Sequence, residues 1–193
     1  MQGYHYLTQI EALWQHAISQ YREGQRNPDD LFSPEQLQII TENGFKVMDF
    51  FDAAEDFVSS GEPDFATFVA TNDVRRNFFL IEQRGIHAEF EISPDDLPAK
   101  NADIDGIVWL PRILPKARAK LQGALPPEIM YGCGGDRRFF KTHDLHPAEF
   151  LQVVWQAGDD DQKVLVRTFQ GCPGFASSWR LRYSIAQYFL VCL

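Results

Sequence analysis

The chain of 193 residues carries a formal charge of −9, and 45% of its residues are apolar and 13% are aromatic. This composition can bury a sizeable core and excludes a disordered tail, and three cysteines are too few for a disulfide miniprotein. No apolar run approaches the roughly 18 to 20 residues that a membrane-spanning helix needs. The amino terminus has no cationic segment followed by an apolar stretch, so we expect a soluble, cytoplasmic protein with no membrane partner.

The charge is unevenly distributed along the chain. Residues 1–103 contain 19 acidic and 7 basic side chains, a net charge of −12, whereas residues 104–193 contain 8 acidic and 11 basic side chains, a net charge of +3. Because neutralising phosphates requires clustered cations, the overall charge argues against a nucleic-acid partner. The predicted organisation is an acidic helical domain, a linker, a smaller basic domain and a tail without assigned structure, over residues 1–90, 91–103, 104–170 and 171–193.

Hydrophobic periodicity predicts two helices in the first 60 residues. The first covers residues 4–22, where apolar side chains recur every three or four positions. Ser33, three residues before Gln36, is typical of a helix start. The same periodicity then continues to Val58, which predicts a second helix of six or seven turns that contains Gly44 as a weak point.

A third helical stretch follows Pro63 and runs to Ile81, with an interruption expected near residues 71–73. The chain contains 16 phenylalanines, and many of them lie in this acidic part. We assign them to a hydrophobic core rather than to an aromatic ligand site.

The basic part begins with a helix over the sequence IVWLPRILPKARAKLQGALP, at residues 107–126. Apolar residues line one face of this helix, and Arg112, Lys116 and Lys120 recur every four residues on the opposite side. A further helix opens at Pro147, and the segment KVLVRTF predicts either a last helix or a strand. The fold class is therefore mainly α, a helical bundle of about six helices in two packed parts.

The sequence GCGGDRR, at residues 132–138, brings glycines, a thiol, a carboxylate and two guanidinium groups together. Glycines let backbone N–H groups turn toward an anion, and arginines bind carboxylate or phosphate through two hydrogen bonds. We expect a non-catalytic binding or regulatory module for an anionic small molecule or an acidic protein surface. Its oligomeric state stays open. The candidate ligand-binding residues are Arg112, Lys116, Cys133, Asp136, Arg137, Arg138 and His143.

Three structural interpretations compete with this site. The glycine-rich segment is also typical of a tight turn in which Asp136 caps a helix that starts at Arg137. The basic stripe on the first helix of the basic part is also typical of a solvated helix face. Alternatively, the acidic second helix covers that basic face within the same chain. The acidic residues that would do so are Asp49, Asp52, Glu55 and Asp56.

An enzyme is the competing class of function, with Cys133, Asp136 and His143 lining a small pocket. A nucleophilic cysteine needs a neighbouring base, for which His143 or His146 is available in the sequence. Cys133 and the two histidines also form a possible metal trio, but structural zinc takes four ligands and a second cysteine is missing nearby. We therefore assign no catalytic residue, no metal and no cofactor.

Three motifs follow one another in the basic part: an LPR-x-L-x-KARA-x-L helix at residues 110–121, a Tyr-x-Cys-x-x-Asp-x-Arg turn at 131–138, and a capped helix that opens at Pro147. In this order they resemble the bacterial family called domain of unknown function 5069, over residues 104–169. The turn has two glycines where Pro-Leu is common in that family, and the last 20 or so residues differ from its polar C-terminus. The resemblance implies a small helical domain and supplies no mechanism.

Overall fold

A computed structural model describes residues 5–169, which are mainly α, as the sequence predicted. Four α-helices lie in the acidic part: α1 (Tyr6–Arg22), α2 (Pro34–Glu42), α3 (Val47–Ser60) and α4 (Phe65–Ile81). The later described residues contain α5 (Leu110–Gln122), α6 (Gly134–Thr142), α7 (Pro147–Ala157) and α8 (Asp161–Phe169). Two short strands, β1 (Asp103–Ile104) and β2 (Ile107–Val108), pair antiparallel just before α5. The predicted tail over 171–193 lies outside the described residues.

Aromatic side chains form the core of the acidic part, as predicted. Phe50 of α3 is fully buried, and the centre of its ring lies 5.6, 6.1 and 5.1 Å from the rings of Phe32, Phe45 and Phe68. Trp14 of α1 packs against the same cluster from the other side. Edge-to-face pairs of this kind add to the stabilisation that burial of apolar surface supplies.

The predicted continuous helix over residues 33–58 is wrong, because the chain breaks between α2 and α3. Gly44 has a φ angle of +76°, and its N–H donates to the carbonyl of Thr41 at 2.9 Å. The N–H of Phe45 donates to the carbonyl of Ile40 at 3.0 Å. These two bonds form a Schellman motif, which ends a helix. The apolar periodicity continues across the break because both helices contribute side chains to the same core.

The interruption expected near residues 71–73 is also wrong, since α4 runs through them without a break. The Thr71 hydroxyl donates to the carbonyl of Thr67 at 2.9 Å, and the Asn72 side-chain amide donates to that of Phe68 at 3.0 Å. Both side chains donate hydrogen bonds to carbonyls of the preceding turn, so their polar groups are paired without interrupting the helix.

The acidic helices and the basic helix belong to the same compact unit, which includes the described residues up to Trp155. Helix α4 packs against α5. The predicted linker over 91–103 contains a short 3-10 turn, Pro94–Asp96, and its Pro98 carbonyl accepts a hydrogen bond from the Arg112 guanidinium at 2.7 Å. Helix α8 belongs to a second unit. None of the helices within residues 5–169 is both long and apolar enough to cross a bilayer.

The break at Gly44 provides a test of the helix ending. A Cβ atom at this position would lie 2.4 Å from the Phe79 ring, whereas a Cβ at Gly61, which has the same φ angle of +76°, meets no atom within 4 Å. We expect Gly61→Ala to lower the free energy of unfolding by about 1–2 kcal/mol, through the left-handed backbone alone. Gly44→Ala should cost at least about 1 kcal/mol more, because the Phe79 ring must also move. Urea unfolding followed by circular dichroism measures both, and equal losses would contradict the assigned packing.

Candidate functional site

Two lysines one turn apart on α5 are buried. Lys116 is 3% exposed and Lys120 is 6% exposed. The interpretation of this stripe as a solvated helix face is therefore wrong for both residues. A buried ammonium group is strongly destabilising unless it is paired and hydrogen-bonded, so the partners of the two lysines determine the local structure.

Lys116 pairs with Asp136, which is fully buried. The Asp136 carboxylate also accepts hydrogen bonds from the Trp109 indole N–H at 2.8 Å and from the Gly132 backbone N–H at 2.9 Å. A Cβ at Gly135 would lie 2.4 Å from the Trp109 ring, so the glycine permits that ring to pack against α6. The glycine-rich segment is thus built around a buried carboxylate.

Helix α6 begins at Gly134, three residues before the start at Arg137 that the capping interpretation predicts. Cys133 is the N-cap residue of α6, and its Sγ lies 3.4 Å from the Lys116 Nζ. His143 is the C-cap residue of the same helix, and burial lowers the pKa of its imidazole. Ten residues of helix place Cys133 and His143 roughly 15 Å apart. The structure therefore does not bring this thiol and this imidazole together.

His146 has a structural role at the start of α7, where its Nδ1 accepts a hydrogen bond from the Ala148 N–H at 3.2 Å. Throughout residues 5–169, histidine, cysteine and carboxylate side chains do not form a group of three that could hold a metal ion.

Carboxylates of the acidic part pair with cations of the basic part. The Lys120 Nζ lies 2.6 Å from the Asp49 carboxylate and donates to the Asn72 side chain at 2.9 Å. The Arg137 guanidinium lies 2.6 Å from the Asp56 carboxylate. The acidic helix α3 therefore reaches two of the predicted cations, Lys120 and Arg137, whereas Lys116 is engaged from within the basic part. At the surface, the Lys141 Nζ lies 2.6 Å from a Glu62 carboxylate oxygen.

A cleft of about 410 Å³ lies where these ion pairs meet, between α3, α4 and the segment from Lys120 to Pro147. Its apolar walls include Met48, Phe68, Ile129, Met130, Phe140 and Leu145. Its charged groups come from both parts of the chain, so the cleft exists only because the acidic and basic parts pack together. A cleft of this size that combines apolar walls with polar groups is typical of a small-molecule site.

Asp52 differs from the other charged residues that line this cleft. Within residues 5–169, no side chain or backbone N–H donates a hydrogen bond to its carboxylate. Burial, together with the carboxylates of Asp49, Glu55 and Asp56, raises the pKa of Asp52 to about 7 against the opposing charge of Lys120. A carboxyl group with this pKa changes charge near neutral pH.

Of the seven residues predicted to bind a ligand, Arg137 is the one that lines the cleft. Lys116, Cys133 and Asp136 form the buried cluster at the start of α6, and Arg138 is exposed on the surface. Arg112 is held by the linker carbonyl described above, and His143 lies at the far end of α6. Sequence reasoning missed Asp52 as a site residue, although the spacing of four acids along α3 placed it near the basic helix.

The fold and the cleft together define a mainly α protein with a charged, partly apolar internal site. Residues 96–177 match the model of a family described as a domain of unknown function (DUF5069). The match includes α5 to α8 and agrees with the resemblance expected from the sequence, and α1 to α4 lie outside it. No curated protein and no solved structure matches the chain.

Removing the charge of Asp136 should destabilise the protein strongly. Asp136→Asn leaves the Lys116 ammonium buried without a counter-charge, so we expect a loss of about 3–5 kcal/mol in the free energy of unfolding. The matched control is Asp56→Asn, whose pair with Arg137 is partly exposed and should contribute no more than about 1 kcal/mol. Urea denaturation at pH 7.5 compares the two variants. Losses of similar size would contradict a dominant role for the buried pair.

Asp52 should make the folded protein less stable as the pH rises. Its pKa of about 7 in the folded state exceeds the ordinary value of 3.8, so the folded state binds more protons between these pH values. Stability attributable to this group is therefore lost from about pH 4 to pH 7. Asp52→Asn should be more stable than the wild type at pH 8, by on the order of 2 kcal/mol, and should match it near pH 4. Unfolding curves at both pH values test this, and a gain independent of pH would contradict it.

Proposed function

We propose that this chain is a non-catalytic binding module whose cleft holds one small molecule. The observation that carries the proposal is the cleft itself, because its volume of about 410 Å³ lies in the range of ligand pockets. Apolar walls would bury the body of the ligand, and the charged groups of the lining would orient it. The packing of the acidic part on the family segment builds this site, so both parts are needed for binding.

The ion pairs disfavour the predicted anionic ligand or acidic protein partner at the basic helix. Lys116, Lys120 and Arg137 are already engaged by carboxylates of the same chain. An anion would have to displace these carboxylates, two of which hold lysines that are almost fully buried. The pairing therefore favours the cleft over the basic helix as the place of binding.

A binding role is also favoured over the enzyme with Cys133, Asp136 and His143 in one pocket. The Asp136 carboxylate already accepts hydrogen bonds from Trp109, Lys116 and Gly132. The Cys133 thiol and the His143 imidazole lie at opposite ends of α6. General base catalysis requires the two groups to be within hydrogen-bond reach or joined by one water. We also propose that the protein works in the cytoplasm, since three scattered cysteines in 193 residues are typical of a reducing compartment.

Blocking the cleft tests this function. Met130 lines the cleft, whereas Glu128 is exposed two residues away and does not, so Met130→Trp and Glu128→Trp add the same ring inside and outside the site. A fragment library is screened by ¹H–¹⁵N NMR against the wild type and both variants. We expect fragments that shift cleft resonances in the wild type and in Glu128→Trp to bind Met130→Trp at least about tenfold more weakly. Equal binding by all three proteins, or no fragment in the cleft, would overturn the proposal.

A further inference from the structure

The charges of the cleft do not balance once its internal pairs are counted. The four cations that line it are engaged: Lys46 by Glu91, Lys120 by Asp49, Arg137 by Asp56, and Lys141 by Glu62. The other carboxylates of the lining are engaged as well. Asp49 and Glu62 are in those pairs, and Asp64 accepts the Thr67 N–H at 2.8 Å as the N-cap of α4. Asp52 is the charge that remains.

We infer that the ligand of this cleft carries a cationic amine that pairs with Asp52, together with an apolar body that lies against Met48, Ile129 and Met130. This inference rests on the proposed function and names its ligand class. An ammonium group offers three N–H donors and a positive charge, which is what an unpartnered carboxylate beside three other acids lacks. Within residues 5–169 the carboxylates do not form a metal-holding group, which favours an organic cation over a metal ion.

The surroundings of Asp52 explain why a cation would bind there more tightly than a neutral molecule. Glu55 and Asp56 add negative charge from the same helix, and Lys120 of α5 is the nearest opposing charge. Glu55 accepts a hydrogen bond from Tyr21 of α1 at 2.6 Å, and Arg137 of α6 engages Asp56. A bound ammonium would relieve the repulsion among the carboxylates, and a bound anion would increase it.

The inference also predicts a pH dependence of binding. An alkylamine stays protonated up to about pH 10, so the change between pH 8 and pH 6 comes from the protein. Because the pKa of Asp52 is about 7, its ionised fraction falls about tenfold over this interval. His146 also lines the cleft, so the Asp52→Asn variant, which keeps this imidazole, separates the two groups. Amine affinity should fall by a similar factor in the wild type and stay constant in Asp52→Asn, and the affinity of a neutral probe should not change.

The test uses three probes with the same apolar body and different charges: 4-phenylbutylamine, 4-phenylbutanol and 4-phenylbutyrate. Each is titrated by NMR into the wild-type chain, Asp52→Asn and Glu128→Gln, the last of which removes an exposed acid that does not line the cleft. We expect the amine to bind the wild type at least about tenfold more tightly than the alcohol or the carboxylate. Asp52→Asn should abolish this preference without weakening the alcohol, and Glu128→Gln should stay within about twofold of the wild type.

Three results would overturn the inference. If the alcohol or the carboxylate binds the cleft as tightly as the amine, or if Asp52→Asn leaves amine affinity unchanged, the ligand is not recognised through this carboxylate. The cleft would then still bind small molecules, and its block by Met130→Trp would be unaffected. If none of the three probes shifts cleft resonances at millimolar concentration, the amine class is wrong, and the fragment screen decides separately whether the cleft binds at all.

Discussion

The buried ammonium groups of α5 determine how the rest of this unit is arranged. Lys116 and Lys120 are both almost fully buried, and each is compensated by a carboxylate and further polar contacts. Lys116 is satisfied from within the family segment, by Asp136 at the start of α6. Lys120 is satisfied from outside that segment, by Asp49 and Asn72 of the acidic helices. One side of α5 thus organises the glycine-rich turn and also holds the acidic part in place.

The cleft is a consequence of this pairing. Helix α3 meets α5 and α6 through the pairs Asp49–Lys120 and Asp56–Arg137, and residues from both pairs line the cleft. The cations on the cleft surface are neutralised by the carboxylates that form the contact, and Asp52 is left facing that space. An uncompensated carboxylate lowers stability at neutral pH, and such groups concentrate at functional sites. The same interaction therefore explains both the architecture and the location of the candidate site.

Periodicity and composition sufficed to predict the mainly α fold and the phenylalanine core, and the ordered motifs of residues 110–138 carried the family resemblance. The break at Gly44 was missed because α2 and α3 place side chains in one core, so the apolar spacing continues across it. The environment of the lysine stripe stayed open for a related reason, since the spacing of the lysines is the same whether water or a carboxylate surrounds their ammonium groups. Lys120 meets Asp49 across 71 positions of sequence, and only the tertiary structure brings this pair together. Asp52 became a candidate only when that pairing left it unpartnered.

The most direct test is a double-mutant cycle on Asp49 and Lys120, the buried pair that joins the two parts of the chain. Asp49→Asn, Lys120→Met and the double variant are compared with the wild type by urea unfolding at pH 7.5. A buried pair that holds the parts together predicts a coupling energy of at least about 1.5 kcal/mol, with the double variant more stable than Asp49→Asn alone. A coupling energy within about 0.5 kcal/mol of zero would contradict it, because the two residues would then contribute independently.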